Sequence, residues 1–195
     1  MSHYALALFA HILGALGLFI GISLQWISVL RIRQAQTVAQ VREWTSLTSV
    51  TESLVPIASL LILVAGIDMT VTTWGWNTPW IDVSLAALVF LGALGGALIN
   101  RRIRAIKAAA AAPSATGPIP VELERRITDS VLWTSLQVNG FTALGVVFLM
   151  TSKPDLVGSL ITIAVALMLG IGSARVWTGH RQTAVLHNEA KLSER

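Results

Sequence analysis

Five long apolar stretches limit the folds that are open to this chain. They run over residues 4–30, 54–73, 81–99, 131–150 and 156–176, and each is close to or longer than the roughly 20 apolar residues that a helix needs to cross a bilayer. Hydrophobic residues make up 54% of the sequence and charged residues 12%, as is typical of a chain that is surrounded by lipid. Unpaired backbone groups are costly in hydrocarbon, so each stretch is predicted to be helical. The sequence therefore predicts an all-α, polytopic transmembrane bundle of five spans, with residues 1–195 forming a single membrane domain.

The basic residues predict the orientation of the bundle. Lys and Arg cluster after the first span, between the third and fourth spans and after the fifth, whereas the loops on the other side contain only Lys153. Short cytoplasmic loops carry an excess of Lys and Arg, so we expect the N-terminus outside, the C-terminus in the cytoplasm and a cytoplasmic linker over residues 105–120. The expected location is the cytoplasmic (inner) membrane of a bacterium. This topology accounts for the net charge of +4 without nucleic-acid binding.

Polar residues at the predicted helix starts have structural explanations. Ser49 and Glu52 have the spacing of a capping box at the start of the second span. Thr78 and Pro79 are predicted to begin the third span, with Asp82 in its first turn, and Ser152–Asp155 are predicted to repeat this arrangement at the fifth.

Two glycine patterns predict close helix contacts, because small residues let helices approach each other in lipid. Within-chain packing is favoured over contact between protomers. The glycines of these patterns are Gly14, Gly17 and Gly21 in the first span and Gly92 and Gly96 in the third.

Trp74, Trp76 and Trp80 surround the predicted outer turn between the second and third spans. Indole rings are enriched at membrane interfaces, so these residues are predicted to be interface anchors. A tryptophan-lined mouth that binds a ligand is the alternative interpretation.

His11 and Asp68 are the clearest ionisable residues at bilayer depth. At 1.5 Å per residue they lie roughly 10 Å and 8 Å below the predicted outer boundary, on helices that should be antiparallel neighbours. The sequence therefore predicts a pair. It would either fix the helix register, carry protons or cations, or contribute to a metal or haem site. Gln137 and Asn139 would either extend this polar site inward or join helices by hydrogen bonds.

No catalytic motif is present in the sequence. It contains no HExxH, GxSxG or Walker pattern, and it has no cysteine to act as a nucleophile or metal ligand. These absences favour a non-enzymatic role.

Several short segments carry a resemblance to known membrane proteins. They are the first-span segment from Ala10 to Ala15 with Gly21, the turn Gly75–Trp80, the basic exit Arg101–Arg104, and Phe148–Pro154. Together they resemble a bacterial family of predicted integral membrane proteins of unknown function. The first span is more distantly similar to copper-resistance protein D-like proteins and to haem-dependent protoporphyrinogen oxidases. The oxidase resemblance implies that His11 is a haem ligand, although no second His lies deep in another span.

These observations define the expected function. We expect a small membrane protein, embedded in the lipid bilayer, with a polar site at His11 and Asp68 for the passage of protons, cations or a small solute. It would otherwise act as a partner in a homo-oligomer or a larger membrane complex. The alternative is a redox protein that handles b-type haem or copper through His11.

Overall fold

The computed structural model describes residues 2–112 and 117–193, with side chains described as far as Val176. No β-strand occurs among the described residues, and five of the helical stretches are long and apolar enough to cross a membrane. The predicted all-α bundle of five spans is therefore confirmed. The α-helices are α1 (His3–Gln34), α2 (Val38–Met69), α3 (Pro79–Ala93), α4 (Arg101–Ala111), α5 (Val121–Ile127), α6 (Ser130–Ser152) and α7 (Leu156–Ser193).

Several of these helices join into continuous rods. Helix α2 continues as a π-helical segment over Thr70–Trp74, and a second π-helical segment, Leu94–Asn100, joins α3 to α4. Helix α5 is separated from α6 by a break at Thr128 and Asp129. The Asp129 carboxylate accepts the Val131 amide at 2.8 Å and the Arg102 guanidinium at 2.7 Å, so it fixes the start of α6.

The predicted capping box at Ser49 and Glu52 is wrong. Helix α2 begins at Val38, well before Ser49. Its N-cap is Thr37, whose hydroxyl accepts a hydrogen bond from the Gln40 amide at 3.3 Å. Ser49 lies inside the helix and accepts a hydrogen bond from Lys107 Nζ at 2.7 Å. The helix extends beyond the apolar stretch because Val38, Val41 and other residues at helical spacing are buried in a hydrophobic cluster with residues of α1, α4 and α5.

The predicted start of the third span agrees with the structure, and that of the fifth agrees in part. Helix α3 begins at Pro79 with Thr78 as its N-cap residue, although the Thr78 hydroxyl donates to the Gly75 carbonyl at 3.1 Å instead of capping. At the start of α7, the Asp155 carboxylate accepts the Gly158 amide at 2.8 Å. Ser152 instead ends α6, and its hydroxyl donates to the Phe148 carbonyl at 2.7 Å.

The first glycine pattern lies where α1 packs against α2. A Cβ atom added at Gly14 would lie 3.0 Å from the Ala58 carbonyl oxygen, and one added at Gly21 would lie 2.5 Å from Val55 Cγ2. Gly17 approaches Ala58 in the same way. The absence of side chains at these positions therefore allows the two helices to touch.

The second glycine pattern behaves differently. A Cβ atom added at Gly92 or Gly96 would meet no described atom within 4 Å. The expectation that these two glycines form a helix contact within the chain is therefore not met, because Gly92 in α3 and Gly96 in the following π-helical segment are both exposed.

The two ends of the bundle are packed unequally. At the end that contains Arg102, side chains from α1, α2, α4, α5 and α6 form the larger hydrophobic cluster, which includes the fully buried Ile103, Leu132 and Trp133. The cluster towards the opposite end, which we call the Trp74 end, is smaller and includes Leu18, Leu91 and Ala143. The helices consequently leave a space between them at the Trp74 end.

Candidate functional site

A cavity of about 520 Å³ occupies the Trp74 end of the bundle, between α1, α2, α3 and α6. We call it the tryptophan cavity. Its volume falls within the roughly 300–1,000 Å³ that is usual for small-molecule pockets. Most of its lining is aliphatic or aromatic, and the few polar side chains include His11, Thr70, Ser84 and Lys153. This combination of apolar walls with a few polar groups is typical of a site for a hydrophobic ligand.

His11 is held in the cavity wall by a contact with α2. Its Nδ1 atom lies 3.1 Å from the carbonyl oxygen of Ile62, and the ring also lies against Gly66, where the absence of a side chain leaves room for it. Because a carbonyl oxygen only accepts hydrogen bonds, Nδ1 is the donor in this contact. The other ring nitrogen, Nε2, has no hydrogen bond to another described residue, so the neutral ring retains one acceptor for a ligand.

The predicted pair of His11 and Asp68 does not form. Instead, Asp68 Oδ1 lies 3.6 Å from Nε2 of His3, a largely exposed side chain in the first turn of α1. The contact of Gly14 with Ala58 and Ile62 sets the register of the two helices. This register places Asp68 level with the beginning of α1, where an exposed contact of this kind contributes little to stability.

Trp74, Trp76 and Trp80 all line the cavity. The rings of Trp74 and Trp80 meet edge to face, with their centroids 5.5 Å apart and an interplanar angle of 83°. The Nζ atom of Lys153 lies 4.1 Å from the centroid of Trp74 and 5.7 Å from that of Trp80. The three tryptophans therefore form part of the mouth of the cavity, in addition to lying where the sequence predicts an interface.

The buried amides of α6 lie apart from the cavity. Gln137 and Asn139 are more than nine-tenths buried, and neither is among the residues that line the tryptophan cavity. The Gln137 Oε1 and Asn139 Oδ1 atoms have no hydrogen-bond partner among the described residues. Elsewhere in the bundle, Gln25 Nε2 donates to Asn100 Oδ1 at 3.2 Å and joins α1 to the third span. The structure therefore does not bring Gln137 and Asn139 together with His11.

Sequence reasoning missed several residues of the site. In the sequence, Lys153 stands out only as the single Lys or Arg in the loops of the predicted outer side, and this signal could mark it as a functional candidate. Ser84, Met69 and Met150 also line the cavity and carried no recognisable sequence signal. Within the described part of the chain, no group of three or more His, Asp or Glu side chains is arranged to hold a metal ion.

Comparisons with known proteins give one family. No curated protein and no solved structure matches the chain. The model of a family described as "Predicted integral membrane protein (DUF2269)" matches residues 5–154, which include the first four spans and every residue of the cavity named above. The function of that family is unknown. The expected family resemblance is thus confirmed, and the chain belongs to the DUF2269 family of predicted integral membrane proteins.

Proposed function

We propose that this integral membrane protein binds a small apolar or amphiphilic molecule, taken from the surrounding membrane, in the tryptophan cavity. The observation that carries the proposal is the cavity of about 520 Å³, with its apolar lining and the free Nε2 acceptor of His11. A ligand hydroxyl or amide could donate to Nε2 while the rest of the molecule contacts the apolar wall. No chemical step is needed for this role.

The charge pattern supports a location for this binding. If the Lys- and Arg-rich loops face the cytoplasm, the Trp74 end lies in the outer half of the bacterial inner membrane. A ligand would then enter from the outer leaflet. The dense cluster around Ile103, Leu132 and Trp133 occupies the other end, so binding or presentation of a solute is better supported than passage across the membrane.

Fluorescence quenching can test this proposal. Dodecanol brominated on its tail should quench tryptophan fluorescence in proteoliposomes, because bromine quenches on contact and Trp74, Trp76 and Trp80 line the cavity. An Ala15→Phe substitution fills part of the cavity wall and should abolish saturable quenching. Ala86→Phe is the matched control, because Ala86 is exposed on α3 and does not line the cavity. Equal, non-saturable quenching in all three proteins would reject the proposal.

A second candidate function is the binding of haem or copper, and one contact favours it. A metal-ligating histidine almost always donates its other ring N–H to a carbonyl, carboxylate or water, which is the arrangement of His11 Nδ1 and the Ile62 carbonyl. Met69 and Met150 line the same cavity, and thioethers are ligands both for haem iron and for Cu(I). His11 with one of these methionines would hold the group.

Optical and elemental analysis of the purified protein tests this second candidate. A Soret band, or stoichiometric copper, that is lost in His11→Ala and kept in His3→Ala would support it. A colourless, metal-free protein after expression with added haem precursor and copper would remove it.

A further inference from the structure

The side chain of Lys153 is directed to the mouth of the tryptophan cavity by an unusual backbone conformation. Lys153 has φ 49° and ψ 54° and is the only non-glycine residue with a positive φ in the described part of the chain. Its amide donates to the Leu149 carbonyl at 2.9 Å, which ends α6. Pro154 follows at once and Asp155 caps α7. The short turn is thus fixed on both sides, and the ammonium group lies over the rings of Trp74 and Trp80.

Lys153 has no salt bridge to a carboxylate among the described residues. Of the carboxylates at this end, Asp155 accepts the Gly158 amide, Asp68 lies 3.6 Å from His3, and Asp82 is in the first turn of α3. The two indole rings attract the ammonium group through their π-electrons, but they leave its positive charge in place. Lys153 is the single Lys or Arg among the described residues that line the cavity.

An apolar cavity with a cation at its mouth that forms no salt bridge is complementary to a molecule that has an apolar tail and an anionic head. The cavity volume is in the range that holds one drug-sized ligand, which favours a single-chain molecule over a two-chain lipid. We infer that the ligand is a single-chain anionic amphiphile of the fatty-acid type, with its carboxylate bound by Lys153 and its tail extending past His11. This inference rests on the proposed function, because it names the class of molecule that the tryptophan cavity takes.

Lys153 would then determine specificity. A charge-assisted hydrogen bond between an ammonium group and a carboxylate is roughly twice as strong as a neutral one, so a carboxylate should bind more tightly than the alcohol of equal chain length. Dodecanol has a hydroxyl that can donate to His11 Nε2 but no charged group that Lys153 would attract.

Two ligands and four proteins test the inference. Dodecanoate and dodecanol, each brominated on the tail, are titrated at pH 8 into proteoliposomes of neutral lipid, with tryptophan quenching as the readout. Lys153→Asn removes the charge with a residue that tolerates the left-handed conformation, and Lys153→Arg keeps the charge. Lys107→Gln is the control, because Lys107 lies at the opposite end of the bundle and contacts Ser49. Thermal unfolding of each variant verifies that it is folded.

The expected result is a loss confined to one ligand and one variant. Dodecanoate affinity should fall about tenfold in Lys153→Asn, a change equivalent to 1.4 kcal/mol, and should be largely kept in Lys153→Arg and Lys107→Gln. Dodecanol affinity should be unchanged in all four proteins. If Lys153→Asn weakens the binding of both ligands equally, or does not weaken dodecanoate binding, the assignment of an anionic head is overturned. In either case, saturable binding of dodecanol to the unchanged protein would still uphold the proposed function. If neither ligand binds the unchanged protein saturably, both the inference and the proposed function are rejected.

Discussion

The Nδ1 atom of His11 lies 3.1 Å from the carbonyl oxygen of Ile62, so the polar residue of the first span is held by the backbone of the second. This contact gives His11 a structural partner without using Nε2. An imidazole ring that is held by a hydrogen bond at Nδ1, and whose Nε2 has no hydrogen-bond partner among the described residues, is suited to ligand binding. The contact also separates His11 from Asp68, which lies beside His3.

Replacing His11 with leucine should separate the structural and binding roles of this side chain. Loss of one interhelical hydrogen bond in the membrane costs about 0.6 kcal/mol on average, so thermal unfolding in detergent should occur only slightly below the temperature of the unchanged protein. Affinity for dodecanol should fall, because its hydroxyl loses the Nε2 acceptor. His3→Leu is the matched control and should leave dodecanol affinity unchanged. A similar loss in both variants would argue against a role for His11 in the cavity.

The glycines of α1 should tolerate no side chain where α2 approaches. Gly14→Ala would place a Cβ atom 3.0 Å from both the Ala58 carbonyl oxygen and the Ile62 amide nitrogen, which are backbone atoms and cannot easily move. Overpacking of this kind typically costs about 1–3 kcal/mol. Gly92→Ala meets no described atom within 4 Å and should not destabilise the protein. Chemical unfolding in mixed micelles measures both, and equal stability of the two variants would contradict the α1–α2 register.

Two buried threonines offer a paired test of polar burial. The hydroxyl of Thr142 is fully buried with no hydrogen-bond partner among the described residues, whereas the Thr48 hydroxyl donates to the Thr45 carbonyl at 2.7 Å. An unsatisfied buried polar group costs about 1–3 kcal/mol. Thr142→Val should therefore raise the free energy of unfolding, while Thr48→Val should leave it unchanged or lower it. Stabilisation by Thr48→Val alone would reverse the assignment of the two hydroxyls.

The break between α5 and α6 depends on one carboxylate with two partners. Asp129→Ala removes both the cap on the Val131 amide and the contact with Arg102. Loss of an N-cap costs about 0.5–2 kcal/mol, so the variant should unfold at a lower temperature. Glu122→Ala is the control, because its contacts with Arg125 and Arg126 are on the exposed surface of one helix. If Glu122→Ala destabilises the protein as much as Asp129→Ala, the break is not held by the capping carboxylate.

The sequence predicts the class of this fold well because lipid requires long apolar helices, and such stretches can be read directly from composition. The ends of α2 were harder to predict. Residues 38–53 are polar enough to resemble a loop, yet buried residues at helical spacing, among them Val38, Val41 and Thr45, bind this part of the helix to its neighbours. A capping box is a local sequence pattern, whereas tertiary packing decides where this helix begins. Ser49 and Glu52 therefore lie inside α2 and not at its start.

The candidate site was predictable only in part. His11 was conspicuous because it is polar and lies within an apolar stretch, but its partner depends on helix register, which residue counting estimates only to about one turn. The contacts at Gly14 and Gly21 set that register and place Ile62 beside His11. The cavity depends on unequal packing of side chains at the two ends of the bundle. Such packing cannot be predicted from the pattern of apolar residues in one sequence. Lys153 belongs to the site because its turn places the ammonium group over Trp74 and Trp80, a contact between distant parts of the chain.

Mapping the residues that a membrane-dissolved ligand contacts tests most directly whether the tryptophan cavity is a binding site. Dodecanol carrying a diazirine on its tail can be photolysed in proteoliposomes and the labelled peptides mapped by mass spectrometry. If the ligand binds in the tryptophan cavity, we expect saturable adducts at cavity residues such as Leu88 and Met150, and their loss in Ala15→Phe. Non-saturable adducts on exposed residues such as Ile57 and Leu60, unchanged by Ala15→Phe and without enrichment at Leu88 or Met150, would contradict binding in the cavity.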